Sequence, residues 1–367
     1  MKFEVSSLDL KKGLGVAFKG ISSRPHLPIL SGILILVEKG KTSLVSTDLE
    51  ISFWMEIETS ISEDGSVVVP AKLFLDFVST LDDGRVSIES DGQKLKIVSK
   101  GLETEIVCQP SEDYPVVPKS SGKGIELKTS VFKEKVEKVI VSVAKDEVRP
   151  ILTGILFKFK NKELAMIATD GFRLALNVME ISGIENEENV VIPARSIFEL
   201  QKVLIETASD KFFVEVDKQS KQVIFVAKGM EMSTRLLDGE FPPYQQIIPN
   251  TYITKVSVNK HSLISAVKRA SLFSKDNANV VKIETKDRLF VSAESSQIGS
   301  NTTDLEAEID GDSLNVVFNA RYLLDFLPVI DNELVEWETE GELKPSVFRD
   351  GSDSGWLQVV MPIRTQS

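Results

Sequence analysis

A strand, a proline or asparagine, and the first turn of a helix recur three times along this chain at nearly constant spacing. In each copy β-branched residues precede the Pro or Asn, and an alanine and then a basic residue follow it. The alanines Ala71, Ala194 and Ala320 lie 123 and 126 residues apart. A pattern that recurs at a fixed spacing is the signature of a repeated structural unit. A spacing of this length therefore indicates three tandem copies of one domain. The three copies occupy residues 67–77, 190–200 and 316–326.

Each copy also carries two amphipathic helical patterns and about eight short strand-like segments. The first helical stripe, Leu10, Leu14 and Ala17, recurs 122 residues later from Phe132. These patterns predict an α+β fold: three tandem domains, each with two helices packed on antiparallel sheets. Segments rich in proline and glycine at 110–124 and 238–251 are predicted linkers. We therefore expect domains at residues 1–120, 121–250 and 251–367.

Composition excludes several classes of protein. The one cysteine, Cys108, cannot form an intrachain disulfide, and no apolar run is long enough to span a bilayer. The N-terminus begins directly with a strand pattern and not with a signal-peptide pattern. Together with the single cysteine and the lack of a long apolar run, this start predicts a cytoplasmic protein without membrane contact. No metal-binding or phosphate-loop motif is present, and residues 120–124 are expected to be a flexible linker. We expect no catalytic residue, no metal and no cofactor.

Positive charge is concentrated on helices although the net charge of the chain is −12. Residues 8–24 carry +3 and residues 259–275 carry +4, while the lysines of the equivalent middle helix are offset by acids. Two interpretations stand: a basic surface that faces phosphates, or an ordinary solvated helix face. Since no side chains are arranged to read base edges, any DNA contact should be independent of sequence. The candidates on the helices are Lys72, Arg195, Lys268 and Arg269, and Arg321 has the same place in the third repeat.

Leu272 and Phe273 lie off the apolar stripe of the first helix in the third repeat. An exposed Leu-Phe pair is a candidate interface. A frayed helix end beneath a loop explains the same residues equally well, so the sequence alone leaves both interpretations open.

Several segments together resemble one family. Taken in order, they resemble the bacterial β sliding clamps, the processivity subunits of DNA polymerase III. The resemblance extends from end to end. It implies that two chains join head to tail into a closed ring around duplex DNA. The resulting non-enzymatic clamp would tether the replicative polymerase and other replication and repair proteins. The segments are 24–30, 47–50, 168–175, 238–242 and 359–364.

The resemblance also implies site residues. Arg24 and Arg149 would contact double-stranded DNA, and Ile106 would lie where the partner chain of a homodimer meets Leu272 and Phe273. A peptide pocket would bind the polymerase catalytic subunit, the clamp loader and other proteins with a clamp-binding motif. Its residues would be Leu152, Thr169, Gly171, Phe172, Arg173, Leu174, Pro242, Ile247, Ser346, Val359, Val360, Met361, Pro362 and Ile363.

This sequence departs from the family pattern at two places. Phe172 stands where many members carry histidine, which should make the pocket more apolar. Pro150 and Ile151 stand where some members carry tyrosines that face DNA.

Two other functions compete with the clamp. An acidic three-domain adaptor would bind peptides but no DNA. A hydrolase would use Asp48 and Asp170 as paired carboxylates with a metal, although each follows a threonine where a turn accounts for the aspartate.

Overall fold

The structure is a computed structural model that describes residues 1–22, 25, 27–182, 187–274, 279–351 and 355–364. It consists of short helices and antiparallel strands. The described residues form two compact units. The first comprises Met1–Thr129 and Arg195–Leu236, and the second comprises Ser130–Ala194 and Leu237–Ser367. The residues of the middle repeat are therefore divided between the units.

The first unit contains two antiparallel sheets and three helices. Its helices are α1 (Ser7–Ala17), α2 (Ala71–Ser79) and, apart from its first residue, α4 (Ala194–Glu206). In spatial order, the five-stranded sheet is β5 (Thr59–Glu63), β1 (Lys2–Ser6), β7 (Arg85–Ser90), β8 (Lys94–Ser99) and β9 (Leu102–Val107). The eight-stranded sheet is β10 (Ile125–Lys128), β15 (Lys211–Asp217), β16 (Gln222–Ala227), β17 (Met230–Arg235), β4 (Ile51–Ile57), β3 (Lys41–Thr47), β2 (Gly32–Glu38) and β6 (Gly65–Pro70).

The second unit has the same kind of layout. Its helices are α3 (Thr129–Ile140, from its second residue), α5 (Lys260–Ser271) and α6 (Ala320–Phe326). The nine-stranded sheet is β14 (Glu188–Pro193), β11 (Gly154–Lys160), β12 (Glu163–Thr169), β13 (Arg173–Glu180), β26 (Trp356–Val360), β25 (Ser346–Asp350), β24 (Leu334–Thr339), β18 (Thr254–Asn259) and β22 (Ala307–Gly311). The four-stranded sheet is β21 (Gly299–Leu305), β20 (Leu289–Ser295), β19 (Val280–Thr285) and β23 (Asn315–Asn319).

The predicted helical stripes lie in the cores. Leu10, Leu14 and Ala17 of α1 are fully buried and pack in one apolar cluster with side chains of β1, β2 and β7. Gly13 permits this close packing, because a Cβ there would lie 2.5 Å from Cγ2 of Ile57. Burial of one face of each helix on a sheet is the α+β layout that the periodicity predicts.

The recurring strand-to-helix junction is confirmed in all three repeats. Strand β6 ends at Pro70 and β14 ends at Pro193, and a helix begins at the following alanine. Both strands are at the edge of their sheet, where proline costs no ladder hydrogen bond. In the third repeat Asn319 replaces the proline, and its side-chain oxygen accepts the N–H of Arg321 at 2.9 Å, capping α6.

The two predicted linkers contain no α-helix or named strand, although Tyr244–Gln246 forms a 3-10 turn. They are nonetheless packed, since Tyr114, Val117 and Tyr244 are each less than one tenth exposed. The expectation of a flexible first linker is wrong at Ser120, whose N–H and hydroxyl both donate to carboxylates. The domain boundaries at 120/121 and 250/251 stay a prediction.

Candidate functional site

An apolar cluster covers one face of the nine-stranded sheet in the second unit. Its buried members come from β11, β12, β13, β14, β25, β26 and the second linker, and Ile151, Leu176 and Phe241 pack against it. Two predicted pocket residues, Leu174 and Val359, belong to it. The buried members are Leu156, Ile167, Leu174, Val191, Tyr244, Val347, Leu357 and Val359.

The turn between β12 and β13 forms one border of this surface. The hydroxyl of Thr169 donates to the carbonyl of Arg173 at 2.7 Å. A carboxylate oxygen of Asp170 accepts the N–H groups of Phe172 at 2.9 Å and Arg173 at 3.0 Å. Gly171 has φ +91°, which glycine adopts without strain. This tight turn leaves Phe172 with 62% of its surface exposed.

Arg173 fixes the turn against helix α6. Its guanidinium lies 3.0 Å from Asp170 and 2.8 Å from Asp325, and its side chain is only 4% exposed. The same guanidinium lies over the ring of Tyr322, 4.7 Å from the centroid. Tyr322 in turn stacks on Phe172 with centroids 6.5 Å apart. Burial raises the pKa of Tyr322, so the phenol is neutral at physiological pH.

The predicted pocket residues divide between two faces of the sheet. Because cross-strand partners point to the same side, Arg173, Val360 and Ser346 share the face opposite Leu174 and Val359. Val360 belongs to the core of the third repeat, and the buried Ser346 hydroxyl has no hydrogen-bond partner within the described residues. The side chain of Val360 is therefore part of a core, and we expect it to act through its backbone.

The remaining predicted residues lie in the same unit. Leu152 is buried and its carbonyl accepts the N–H of Ala144 at 3.0 Å. Met361 donates its N–H to the carbonyl of Phe172 at 2.9 Å, which attaches the C-terminal segment to the turn. Ile247 is 37% exposed. Pro242, Met361, Pro362 and Ile363 are half-buried. An apolar surface with one exposed aromatic ring is suited to binding apolar side chains.

The two aspartates considered as catalytic carboxylates serve turns. Asp48 accepts the N–H groups of Glu50 at 3.0 Å and Ile51 at 2.7 Å, as Asp170 does in its own turn. Within the described residues no group of three or more His, Cys, Asp or Glu side chains is suited to hold a metal ion. These contacts support the interpretation of both aspartates as turn residues.

Three family models match the chain one after another. They describe the N-terminal, central and C-terminal domains of the DNA polymerase III beta subunit and match residues 1–118, 126–243 and 245–364. The chain belongs to the DNA polymerase III beta subunit family. In this family the beta subunit is the non-catalytic processivity subunit, the beta sliding clamp.

Individual relatives agree along the whole length. The Beta sliding clamp of Staphylococcus aureus is 32% identical over 365 residues, covering 96% of each chain. The solved DNA polymerase sliding clamp of Bacillus subtilis has a TM-score of 0.94 at 31% identity, with both chains covered completely. The DNA polymerase III beta subunit of Thermotoga maritima has a TM-score of 0.90 at 30% identity, again over both chains.

The candidate DNA-binding residues of this beta subunit are on the surface where the structure describes them, and Arg24 lies outside the described residues. The side chain of Lys72 pairs with Asp76 at 3.0 Å, and that of Arg195 pairs with Asp48 at 3.3 Å. Two lysines of the basic segment 8–24 serve internal contacts: Lys11 of α1 donates to the carbonyl of Leu81, and Lys19, just after α1, pairs with Glu206. Arg149, Lys268 and Arg269 are also exposed.

The candidate interface residues of the beta subunit differ in exposure. Leu272 is 57% exposed, whereas Phe273 is partly buried against the core of the third repeat. The side chain of Ile106 is 3% exposed in the core of the first repeat, and its place at an interface stays a prediction. Its neighbour Val107 is 74% exposed, because successive residues of a strand face opposite sides. The sequence alone does not show which of the two residues faces outward, because that depends on the pairing of β9 with β8.

No helix in the described part of the chain combines the length and the apolar character needed to cross a membrane.

Proposed function

We propose that two copies of this chain join head to tail into a ring that encloses duplex DNA and tethers the replicative polymerase for processive synthesis. The observation that carries this proposal is the match of three successive beta-subunit domains along one chain. A heterologous contact that closes on itself forms a ring, and two chains of three similar domains supply six similar segments.

The ring would hold DNA by enclosure, so each phosphate contact can be weak enough to permit sliding. The contacts would be electrostatic and independent of base sequence. We assign them to the exposed Lys72, Arg149, Arg195, Lys268 and Arg269, and to Arg24. The basic side chains in the Lys72–Asp76 and Arg195–Asp48 ion pairs are solvent-exposed. Exposed ion pairs contribute little to stability, so a DNA phosphate could replace the carboxylate at little cost in free energy.

The apolar cluster of the second unit and its border at Phe172 would bind a short peptide. The expected owners of that peptide are the catalytic subunit of DNA polymerase III, the clamp loader and other proteins with a clamp-binding motif. The pocket would accept Leu and Phe anchors, because its buried lining is apolar and its one guanidinium is already paired with two carboxylates.

Two sheet edges support the dimer contact. Within the described residues, β9 and β21 each pair with a strand on one side only. Exposed apolar side chains lie on or near these edges: Val107 at the end of β9, and Leu272 and Ile298 in the third repeat. Since an edge strand offers unpaired backbone groups, we infer that edge-to-edge pairing joins the first repeat of one chain to the third repeat of the other.

We keep the domain limits 1–120, 121–250 and 251–367 as part of the proposal. A role in replication also implies a cytoplasmic location.

The mass of the chain in solution tests the ring. We expect the wild type at micromolar concentration to elute with the mass of two chains. Val107→Asp should shift it toward one chain, because a carboxylate would be buried at the contact. Val116→Asp is the matched control, since Val116 is 98% exposed in the first linker and should leave the mass unchanged. A wild type that is monomeric at this concentration contradicts the proposal.

A further inference from the structure

The first unit contains a second apolar cluster built like the one in the candidate pocket. Its buried members are Val45, Val68, Tyr114 and Val117, and Ile29, Leu34 and Trp54 pack against it. Leu34 and Val45 lie 122 residues before Leu156 and Ile167 of the pocket cluster, and Trp54 lies 122 residues before Leu176. The first linker covers this cluster with Tyr114, as the second linker covers the pocket cluster with Tyr244.

The strand pairing beside the two clusters also matches. Ile51 of β4 lies opposite Thr234 of β17, and Arg173 of β13 lies opposite Val360 of β26. In this register Trp54 faces Glu231, whereas its counterpart Leu176 faces Leu357. The first unit therefore has a carboxylate where the pocket has a buried leucine.

That carboxylate holds the first linker across the cluster. Glu231 accepts the N–H of Ser120 at 2.8 Å. Glu215 accepts the hydroxyl of Ser120 at 2.6 Å and the N–H of Ser121 at 3.0 Å. Charge-assisted hydrogen bonds of this kind are about twice as strong as neutral ones. They fix the position of the preceding residue, Lys119.

Lys119 lies directly on Trp54, with its ammonium nitrogen 3.8 Å from the ring centroid. A cation at this distance from an indole face is attracted by the ring. Both residues line a cavity of about 210 Å³ together with Val226 and Met230. The indole N–H of Trp54 is buried without a hydrogen-bond partner among the described residues. The lining is mixed, since Ser43, Glu56 and Glu231 also contribute to it, and the unpaired indole N–H is a donor that a peptide carbonyl would satisfy.

We propose that the first unit holds a closed counterpart of the peptide pocket, shut by the chain's own linker through Lys119 and the contacts of Ser120 and Ser121 with Glu215 and Glu231. The closed counterpart would take the same ligand class as the pocket, a short peptide with Leu and Phe anchors. Of the two clusters, the one in the second unit is the peptide pocket of the proposed function, so each native chain would bind one such peptide. This inference rests on the proposed peptide-binding function.

Calorimetric titration with a short synthetic peptide that carries adjacent Leu and Phe anchors tests the stoichiometry. The wild type should bind one peptide per chain, and Lys119→Ala combined with Glu231→Leu should bind two. Lys123→Ala is the matched control, because Lys123 is an exposed lysine of the same linker and should leave one peptide per chain. Two peptides on the wild type, or one on the folded double variant, would overturn the inference.

Acrylamide quenching of tryptophan fluorescence tests the cover without any peptide. Trp337 and Trp356 are 2% and 1% exposed, so Trp54 should dominate the quenching. Lys119→Ala alone should raise the quenching constant, and Lys123→Ala should not. Unchanged quenching in Lys119→Ala would refute the cover. If the wild type bound no peptide at all, the proposed peptide-binding function of the second unit would be wrong. The quenching measurement would still decide whether Lys119 shields Trp54.

Discussion

At the scale of single residues, the environment of each side chain decides what it contributes. Phe172 is exposed because a tight turn directs it outward, while its neighbour Arg173 is buried by two carboxylates and a tyrosine ring. The two residues are adjacent in sequence, yet one offers a binding surface and the other holds the turn in place. The periodicity of the helices predicts buried residues such as Leu10 and Leu14, and both are fully buried.

Phe172→Ala should weaken binding of a Leu-Phe peptide by about 0.5–1.5 kcal/mol, the usual worth of an aromatic contact. Phe172→His should retain part of the affinity, since a ring can still stack on Tyr322. Fluorescence anisotropy with a labelled peptide measures both. Phe198→Ala is the control, because Phe198 is 48% exposed on α4 of the other unit. Equal peptide affinities for the wild type and Phe172→Ala would show that Phe172 does not contribute to peptide binding.

Cys108 should resist alkylation in the folded chain. The residue is 9% exposed, its thiol donates to the carbonyl of Ile106 at 3.3 Å, and burial raises the pKa of the thiol to about 11. Because the thiolate is the reactive form, iodoacetamide at pH 8 should modify it only after denaturation. Mass spectrometry of native and unfolded samples measures this. Rapid modification of the native chain would contradict the burial of this cysteine.

The limits of sequence analysis at this scale come from register. The resemblance identifies position 106 at the interface, but only strand pairing shows that Ile106 faces the core and Val107 faces outward. Likewise, Val359 and Val360 cannot be assigned to different faces of β26 until their partners on β13 and β25 are known.

At the scale of elements, the three repeats share junctions but differ in buried polarity. Lys138 of α3 has a 2% exposed side chain and lies 2.6 Å from Asp331 and 3.2 Å from Asp350, whose side chain is fully buried. Burial by itself lowers the pKa of Lys138, but the two carboxylates outweigh it and hold the pKa above its usual value. The position 122 residues earlier is Val16, a buried apolar residue. The sequence reveals a lysine on an amphipathic helix, and only the fold reveals that it is internal.

Lys138→Met should lower the free energy of unfolding by about 3–5 kcal/mol, because it leaves the Asp350 carboxylate buried without its cation. Adding Asp350→Leu should restore much of that loss, since an apolar pair replaces the ion pair. Lys133→Met is the control, because Lys133 is on the same helix with an exposed side chain. Urea denaturation of the wild type and of these three variants measures the loss and its recovery. If the second substitution adds a further loss of equal size, the ion pair is not the cause.

At the scale of the whole molecule, the central claim is topological: the chain holds DNA by surrounding it. The triplication and the α+β class follow from periodicity alone, since the spacing of Ala71, Ala194 and Ala320 states the number of domains. The division of the middle repeat between two compact units was outside the reach of the sequence, because it depends on contacts between distant strands such as β4 and β17.

Retention on circular and linear DNA tests that claim most directly. After loading onto a nicked circle by a bacterial clamp loader, the wild-type chain should remain bound through gel filtration. Cutting the circle once should release it, because a ring slides off free ends while its electrostatic contacts are unchanged. An acidic adaptor that does not enclose DNA would be retained equally, or not at all, on both forms. Equal retention before and after the cut would contradict the account.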